Sequence, residues 1–161
     1  MIRKINLKNI YSIFVGALTY LYIFGSNFLL SKTSFFFQND HPTLHAGYLA
    51  YINDNWRFPL TVTQNIFPGE NFSIVWMDSI PLFSFILKLF YSLTGFKVFN
   101  PFPMWYLICY ILFAYFAGKI LQLRIKNDLI YLLSLILLIN TPLMINRMYW
   151  HSSLSAHWLI L

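Results

Sequence analysis

Long runs of apolar residues alternate with short polar stretches along this chain. The first run, Ile10 to Leu30, contains no charged residue, and as a helix rising 1.5 Å per residue it is long enough to cross the roughly 30 Å hydrocarbon core of a bilayer. Runs from Pro103 to Gln122 and from Leu129 to Ile145 have the same character. The pattern therefore predicts three transmembrane helices, and Asn127 and Asp128 are expected to cap the third.

A fourth apolar run, Ile74 to Phe96, contains Asp78, Pro81 and Lys88, and its uncharged part is too short to cross. If this run crossed, the basic link between the second and third spans would lie outside the cell. If it does not cross, that link lies inside with the basic N-terminus, as cationic short loops prefer. We therefore expect an interfacial or re-entrant segment here.

The composition supports a membrane protein, because 58% of the residues are hydrophobic and only 10% are charged. In soluble domains, charged residues make up about a quarter of the chain. The predicted class is an all-α, polytopic membrane protein that contacts membrane lipid. The net charge of +6 indicates orientation rather than nucleic-acid binding. The single cysteine, Cys109, excludes a disulfide framework.

The predicted topology has a cytoplasmic N-terminus and a long outer loop, residues 31–102, that contains interfacial helices. All four histidines and four of the five acidic residues then lie on the outer side: His41, His45, His151, His157, Asp40, Asp54, Glu70 and Asp78. Such a collection suggests a site. The chain stops within an apolar run, so we expect a fragment of a longer multipass protein.

Residues His41 to Asn53 have the apolar spacing of a helix, with Pro42 suited to the first turn. Asp40 would stand at its N-terminal end. It could simply cap the helix, or act as a general base or metal ligand. His41 and His45 lie four residues apart on one helical face, which fits a shared ligand or contacts with an interface or substrate.

Arg57 lies between Trp56 and Phe58, a pattern that mainly indicates interfacial anchors. The planar guanidinium is also well suited to binding a phosphate. Asp78 could be one charge of a surface-lying amphipathic helix or a further site residue. The turn sequence at Pro68-Gly69 places Glu70 on a loop.

After the third span, Arg147 and His151 are again four residues apart. Arg147 could extend its charged end to the lipid headgroups, or bind the phosphate of a lipid-linked donor.

The order of these motifs resembles a known layout. The stretches "DHPTLHAGY", "WRFPL", "FPGE", "DSIPL", "PLMINR" and "HSSLSAHWLIL" follow one another between Phe35 and Leu161. This order resembles the N-terminal part of a family of bacterial multipass membrane proteins that is similar to GT-C glycosyltransferases.

The resemblance implies sugar transfer from a polyprenyl-phosphate-linked donor to an acceptor on the extracytoplasmic side of the bacterial plasma membrane. It implies that Asp40 is the general base and that Arg147, or in its place Arg57, binds the donor phosphate. His45, Trp56, Asp78 and His151 are the remaining predicted substrate-binding residues. Trp56 and Tyr48 could stack on sugars or simply lie against lipid. His151 stands where GT-C enzymes often have a further acid, which leaves the use of a divalent metal open. We expect no other cofactor. A non-catalytic membrane subunit or a transporter is the competing hypothesis.

Overall fold

The computed structural model of the protein describes residues 7–29, 41–142, 145, 155–159 and 161. Within them the chain is mainly helical, which confirms the predicted all-α class. The α-helices are α1 (Leu7–Phe24), α2 (Ser26–Leu29), α3 (His41–Ile52), α4 (Pro81–Thr94), α5 (Phe102–Gln122) and α6 (Asp128–Ile139). The remaining elements are strands β1 (Val62–Thr63) and β2 (Phe72–Ser73) and the 3₁₀ helices Ile74–Met77 and His157–Leu159.

These elements form two compact units. The first unit comprises Met1–Leu30, Pro103–Met148 and Leu154–Leu161, and so contains α1, α2, α6 and nearly all of α5. The second unit comprises Ser31–Phe102 and Tyr149–Ser153, and contains α3, β1, β2 and α4.

Helix α1 ends earlier than the apolar run that predicted it. The prediction has one helix continuing to Leu30, but α1 ends at Phe24 and the short α2 follows. Gly25 adopts a positive φ of 75°, and its N–H donates to the carbonyl of Leu21 at 2.9 Å. This left-handed glycine closes the helix, as is common at helix C-termini.

Helix α5 matches the predicted run closely and packs against α1 through small residues. A Cβ added at Gly16 would lie 2.9 Å from the Cβ of Ala114 and 2.7 Å from the carbonyl oxygen of Tyr110. Gly118 is similarly crowded by Ser12. Small residues let two apolar helices approach closely, which is how helices associate in membranes.

Helix α6 is shorter than its predicted span. Asn127 caps it as expected, because its side chain accepts from the N–H groups of Leu129 and Ile130. The helix ends at Ile139 with Asn140 at its C-cap, whereas the prediction continues to Ile145. Pro142 disfavours helical conformation in the residue before it, which explains the early end. Twelve helical residues cover only about 18 Å.

The first unit has a recognisable polar end. The amine of Lys8 lies 2.9 Å from the carboxylate of Asp128 and donates to the carbonyl of Lys126 at 3.0 Å. Near the other end of α1, the Tyr20 hydroxyl donates to the carbonyl of Pro103 at 2.9 Å. The start of α1 therefore lies beside the α5–α6 link, and the end of α1 lies beside the start of α5.

The second unit begins with the predicted helix α3, in which Pro42 occupies the first turn. Strands β1 and β2 pair antiparallel. The loop between them turns at Pro68-Gly69, where the N–H of Glu70 donates to the carbonyl of Phe67 at 3.0 Å and Gly69 has a φ of 87°. The loop position of Glu70 is as predicted.

Two of the described helices, α1 and α5, are long and apolar enough to cross a membrane by length and composition. Helices α4 and α6 are apolar but shorter. The fourth apolar run thus forms a 3₁₀ turn followed by α4, whose 14 residues span about 21 Å.

Candidate functional site

The densest polar cluster among the described residues surrounds Asp54, just after α3. Its carboxylate receives a two-point ion pair from Arg57, with Nε at 2.9 Å and Nη2 at 3.2 Å. The Thr63 hydroxyl donates at 3.0 Å, and the backbone N–H groups of Gln64 and Asn55 donate at 2.7 and 2.8 Å. The side chain of Asp54 is only 5% exposed, so this carboxylate joins α3, the following loop and β1.

These contacts determine the charge of Asp54. Burial by itself would raise the pKa of this carboxyl, but the hydrogen bonds from Arg57, Gln64, Thr63 and Asn55 outweigh burial and hold the pKa well below its usual range. Asp54 is therefore ionised at neutral pH. An ionised carboxylate that accepts this many hydrogen bonds is suited to organising a site rather than to exchanging protons.

Lys88 reaches the same cluster from α4 and is almost completely buried, with 2% of its surface exposed. Its amine donates to the carbonyl of Asn55 at 3.2 Å and lies over the rings of Tyr51 and Trp56, at 4.1 and 5.0 Å from the centroids. Burial lowers its pKa, and nearby Asp54 opposes that shift. Aromatic faces can stabilise a desolvated ammonium.

The loop that carries Arg57 is also tied to the end of α4. The indole N–H of Trp56 donates to the Ser92 hydroxyl at 2.9 Å, and Lys97 donates to the side-chain oxygen of Asn53. Arg57 is 30% exposed, and its contacts with Asp54 engage one side of the guanidinium. The cluster therefore fixes a partly exposed cation beside a partly exposed indole.

Of the predicted site residues, the structure brings Arg57 and Trp56 together. His45 lies elsewhere, within the first half of α3, where its Nε2 contacts the carbonyl of Phe99 at 2.9 Å and its ring packs edge-on to Phe99 and Phe102. Since each helical residue adds 1.5 Å, His45 lies roughly 10 Å along α3 from the end that bears Asp54. His45 is thus not part of the Asp54 cluster.

Asp78 also belongs to the opposite end of α3. It caps the 3₁₀ helix Ile74–Met77 in a left-handed conformation with φ 49°. The next residue, Ser79, is buried, and its hydroxyl donates to the carbonyl of Leu44 at 2.8 Å. Asp78 is therefore anchored near the first turns of α3.

Ile80 follows with φ 49° as well, a conformation that is costly for a β-branched residue.

Tyr48 is fully buried, and its hydroxyl donates to the carbonyl of Val98. In this structure the ring of Tyr48 is covered by protein, so stacking of Tyr48 on a sugar stays a prediction without support from its exposure.

Asp40, Arg147 and His151 lie outside the described residues, as do the side chains of His41 and His157. Their predicted roles remain predictions. Within the described part of the chain, no group of three or more His, Cys, Asp or Glu side chains is arranged to hold a metal ion.

Sequence reasoning missed Lys88 and the central position of Asp54. A signal for Lys88 was present, since Ser84, Lys88 and Ser92 recur every fourth residue in an otherwise apolar run and so share one helical face. The described contacts of Asp54 with β1 had no local signal.

The fold and the cluster define a helical protein with two candidate membrane spans and a second unit organised around a buried ion pair. Over residues 13–161 the chain belongs to the family described as "Domain of unknown function (DUF6311)". No curated protein and no solved structure matches the chain.

Proposed function

We propose that the protein is a multipass membrane glycosyltransferase of GT-C type. It transfers a sugar from a polyprenyl-phosphate-linked donor to an acceptor on the extracytoplasmic side of the bacterial plasma membrane. In the proposed topology, the spans near residues 10–30, 103–122 and 129–145 cross the bilayer from a cytoplasmic N-terminus. Residues 31–102 form the outer loop with interfacial helices.

The observation that carries the proposal is the arrangement of α1 and α5. The hydrogen bond from Tyr20 to Pro103 joins the end of α1 to the start of α5, so the segment between them leaves and re-enters the first unit at the same end. This arrangement supports an outer loop that does not cross. The contacts of Lys8 with the α5–α6 link support the gathering of basic residues on the cytoplasmic side.

The exposed surface of α4 supports an interfacial position. Its polar residues Ser84 and Lys88 are buried, whereas Leu82, Ile86 and Leu93 are 73%, 50% and 77% exposed. An apolar face turned outward is unfavourable in water and suited to the boundary between lipid headgroups and acyl chains.

The proposed chemistry assigns one role to each part. Asp40, which directly precedes α3 in sequence, accepts the proton of the acceptor hydroxyl as general base. Arg147 and His151 bind the donor phosphate, with Arg57 as a second cation. The ion pair with Asp54 favours a positioning role for Arg57, because part of its hydrogen-bonding capacity is already used. Trp56 offers an aromatic face to a sugar.

The test is Asp40→Asn in the full-length protein, with surface glycan and protein level measured in cells. We expect loss of the glycan at normal protein level. The matched control is Glu70→Gln, a charge removal at the exposed turn, which should leave the glycan unchanged. Retention of the glycan by Asp40→Asn would remove Asp40 from the mechanism.

A non-catalytic membrane subunit is the second candidate, and one observation favours it. Arg57, Trp56 and His45 each already have a hydrogen-bond partner within the second unit, as expected of structural residues. This candidate predicts that Asp40→Asn and Arg147→Ala both leave function intact. The proposed transferase predicts that both abolish it.

A further inference from the structure

An apolar groove runs along the first unit between α1 and α6. It consists of two adjoining cavities of about 590 and 390 Å³, which share Val15, Leu18 and Ile136 as lining residues. The larger cavity reaches Asp128 at the start of α6, and the smaller one reaches Asn140 at its C-cap. The groove therefore follows the whole length of α6.

The lining of this groove differs from the face by which α1 meets α5. That face has Ser12 and Gly16, which allow a neighbouring helix to approach closely. The groove is lined instead by bulky side chains such as Phe14, Leu18 and Leu132. A flexible hydrocarbon chain can follow such a surface, whereas another helix packs better against small residues.

The two ends of the groove differ in charge. Lys8 pairs with Asp128 at 2.9 Å, and the α5–α6 link that leads to Asp128 carries the exposed cations Arg124 and Lys126. The lining residues at the other end are uncharged, Thr19 and Asn140 among them. Basic groups next to an apolar surface attract anionic lipid headgroups.

We propose that this groove binds one acyl chain of an anionic phospholipid whose headgroup lies at Arg124 and Lys126. The site rests on the membrane location in the proposed function, and it is separate from sugar transfer. Its headgroup end coincides with the end of the first unit that the proposed topology assigns to the cytoplasm.

The test uses the purified full-length protein in detergent, with phosphatidylglycerol or phosphatidylcholine added and lipid adducts counted by native mass spectrometry. We expect a phosphatidylglycerol adduct that survives activation and a phosphatidylcholine adduct that does not. Ile136→Trp fills the groove and should abolish the adduct. Leu137→Trp is the matched control, because Leu137 is 74% exposed and is not among the lining residues.

The headgroup contact is tested by replacing both Arg124 and Lys126 with Gln, which should reduce phosphatidylglycerol retention to that of phosphatidylcholine. Lys97→Gln, in the second unit, should leave phosphatidylglycerol retention unchanged. Because both link residues are exposed, this variant should fold even if Ile136→Trp does not.

Equal retention of the two lipids by the unaltered protein would overturn the proposal, and so would undiminished phosphatidylglycerol binding by a folded Ile136→Trp variant. A groove covered by a second copy would give no adduct and an intermolecular cross-link at Leu132→Cys, which also overturns it. None of these measurements depends on glycan transfer, so either proposal can fail alone.

Discussion

Replacing Asp54 by Asn should destabilise the second unit by about 3–5 kcal/mol, the cost of breaking a buried ion pair by removing one partner. The carboxylate is 5% exposed and is bonded by Arg57, Asn55, Thr63 and Gln64. Asparagine keeps one acceptor oxygen and turns an NH₂ group toward those donors. Because Arg57 is 30% exposed, water compensates part of its loss, so we expect the lower end, about 3 kcal/mol.

Hydrogen–deuterium exchange of the full-length protein in detergent measures this effect locally. The amide of Gln64 donates directly to Asp54, and a loss of about 3 kcal/mol should speed its exchange about 100-fold if exchange follows local opening. The matched control is Asp128→Asn, since Asp128 forms an ion pair but is 77% exposed. Exposed pairs contribute at most about 1 kcal/mol. If Asp54→Asn changes protection no more than Asp128→Asn, the central position of Asp54 is refuted.

The pH dependence of the same cluster has a definite sign. Because the folded pKa of Asp54 lies below its usual value of 3.8, its contribution to stability is fully present above that value. It is lost as the pH falls from there through the lowered folded pKa. The Asp54→Asn variant should lack this acid-side loss, which equilibrium unfolding between neutral and acid pH can detect.

Three further predictions concern Lys88 and the packing of the first unit. Burial lowers the pKa of Lys88 in the folded protein below its usual 10.5. The stability of the unaltered protein should therefore rise relative to that of Lys88→Met as the pH increases from the folded pKa to 10.5. A stability difference that stays constant over alkaline pH would contradict this. Gly16→Leu should cost about 1–3 kcal/mol by overpacking against Ala114, and an unchanged melting temperature would argue against close packing there. Ser12→Ala and Tyr131→Phe remove the two ends of a 2.6 Å hydrogen bond, so a double-mutant cycle should give a coupling of about 0.6 kcal/mol, whereas additive costs would exclude the bond.

Local sequence patterns predicted the features that depend on local chemistry. Apolar spacing predicted α3, and the length of an apolar run predicted α5. Asn127 caps α6, and the Pro68-Gly69 turn forms as expected. The ends of α1 and α6 were less predictable, because apolar character does not indicate where a helix stops. Gly25 and Pro142 were visible in the sequence, but both residues are also tolerated inside membrane helices.

The candidate site was less predictable than the fold. Arg57 and Trp56 are neighbours in sequence, so their joint position in one cluster follows from chain connectivity. Lys88 was expected only to lie within an interfacial or re-entrant segment, with no contacts assigned to it. The structure buries it, and its amine contacts Asn55 and two aromatic rings that are distant in sequence. Such contacts between distant segments have no periodic signature.

The proposed topology depends most on the outer loop, residues 31–102, and the α5–α6 link lying on opposite sides of the membrane. In a background with Cys109 replaced by Ala, single cysteines at Glu70 and Lys126 can be treated with an impermeant thiol reagent on intact cells. Both positions are exposed. We expect the cysteine at 70 to react at once and the cysteine at 126 to react only after the membrane is permeabilised. Reaction of the cysteine at 126 from outside, or protection of the cysteine at 70, would contradict the proposed topology.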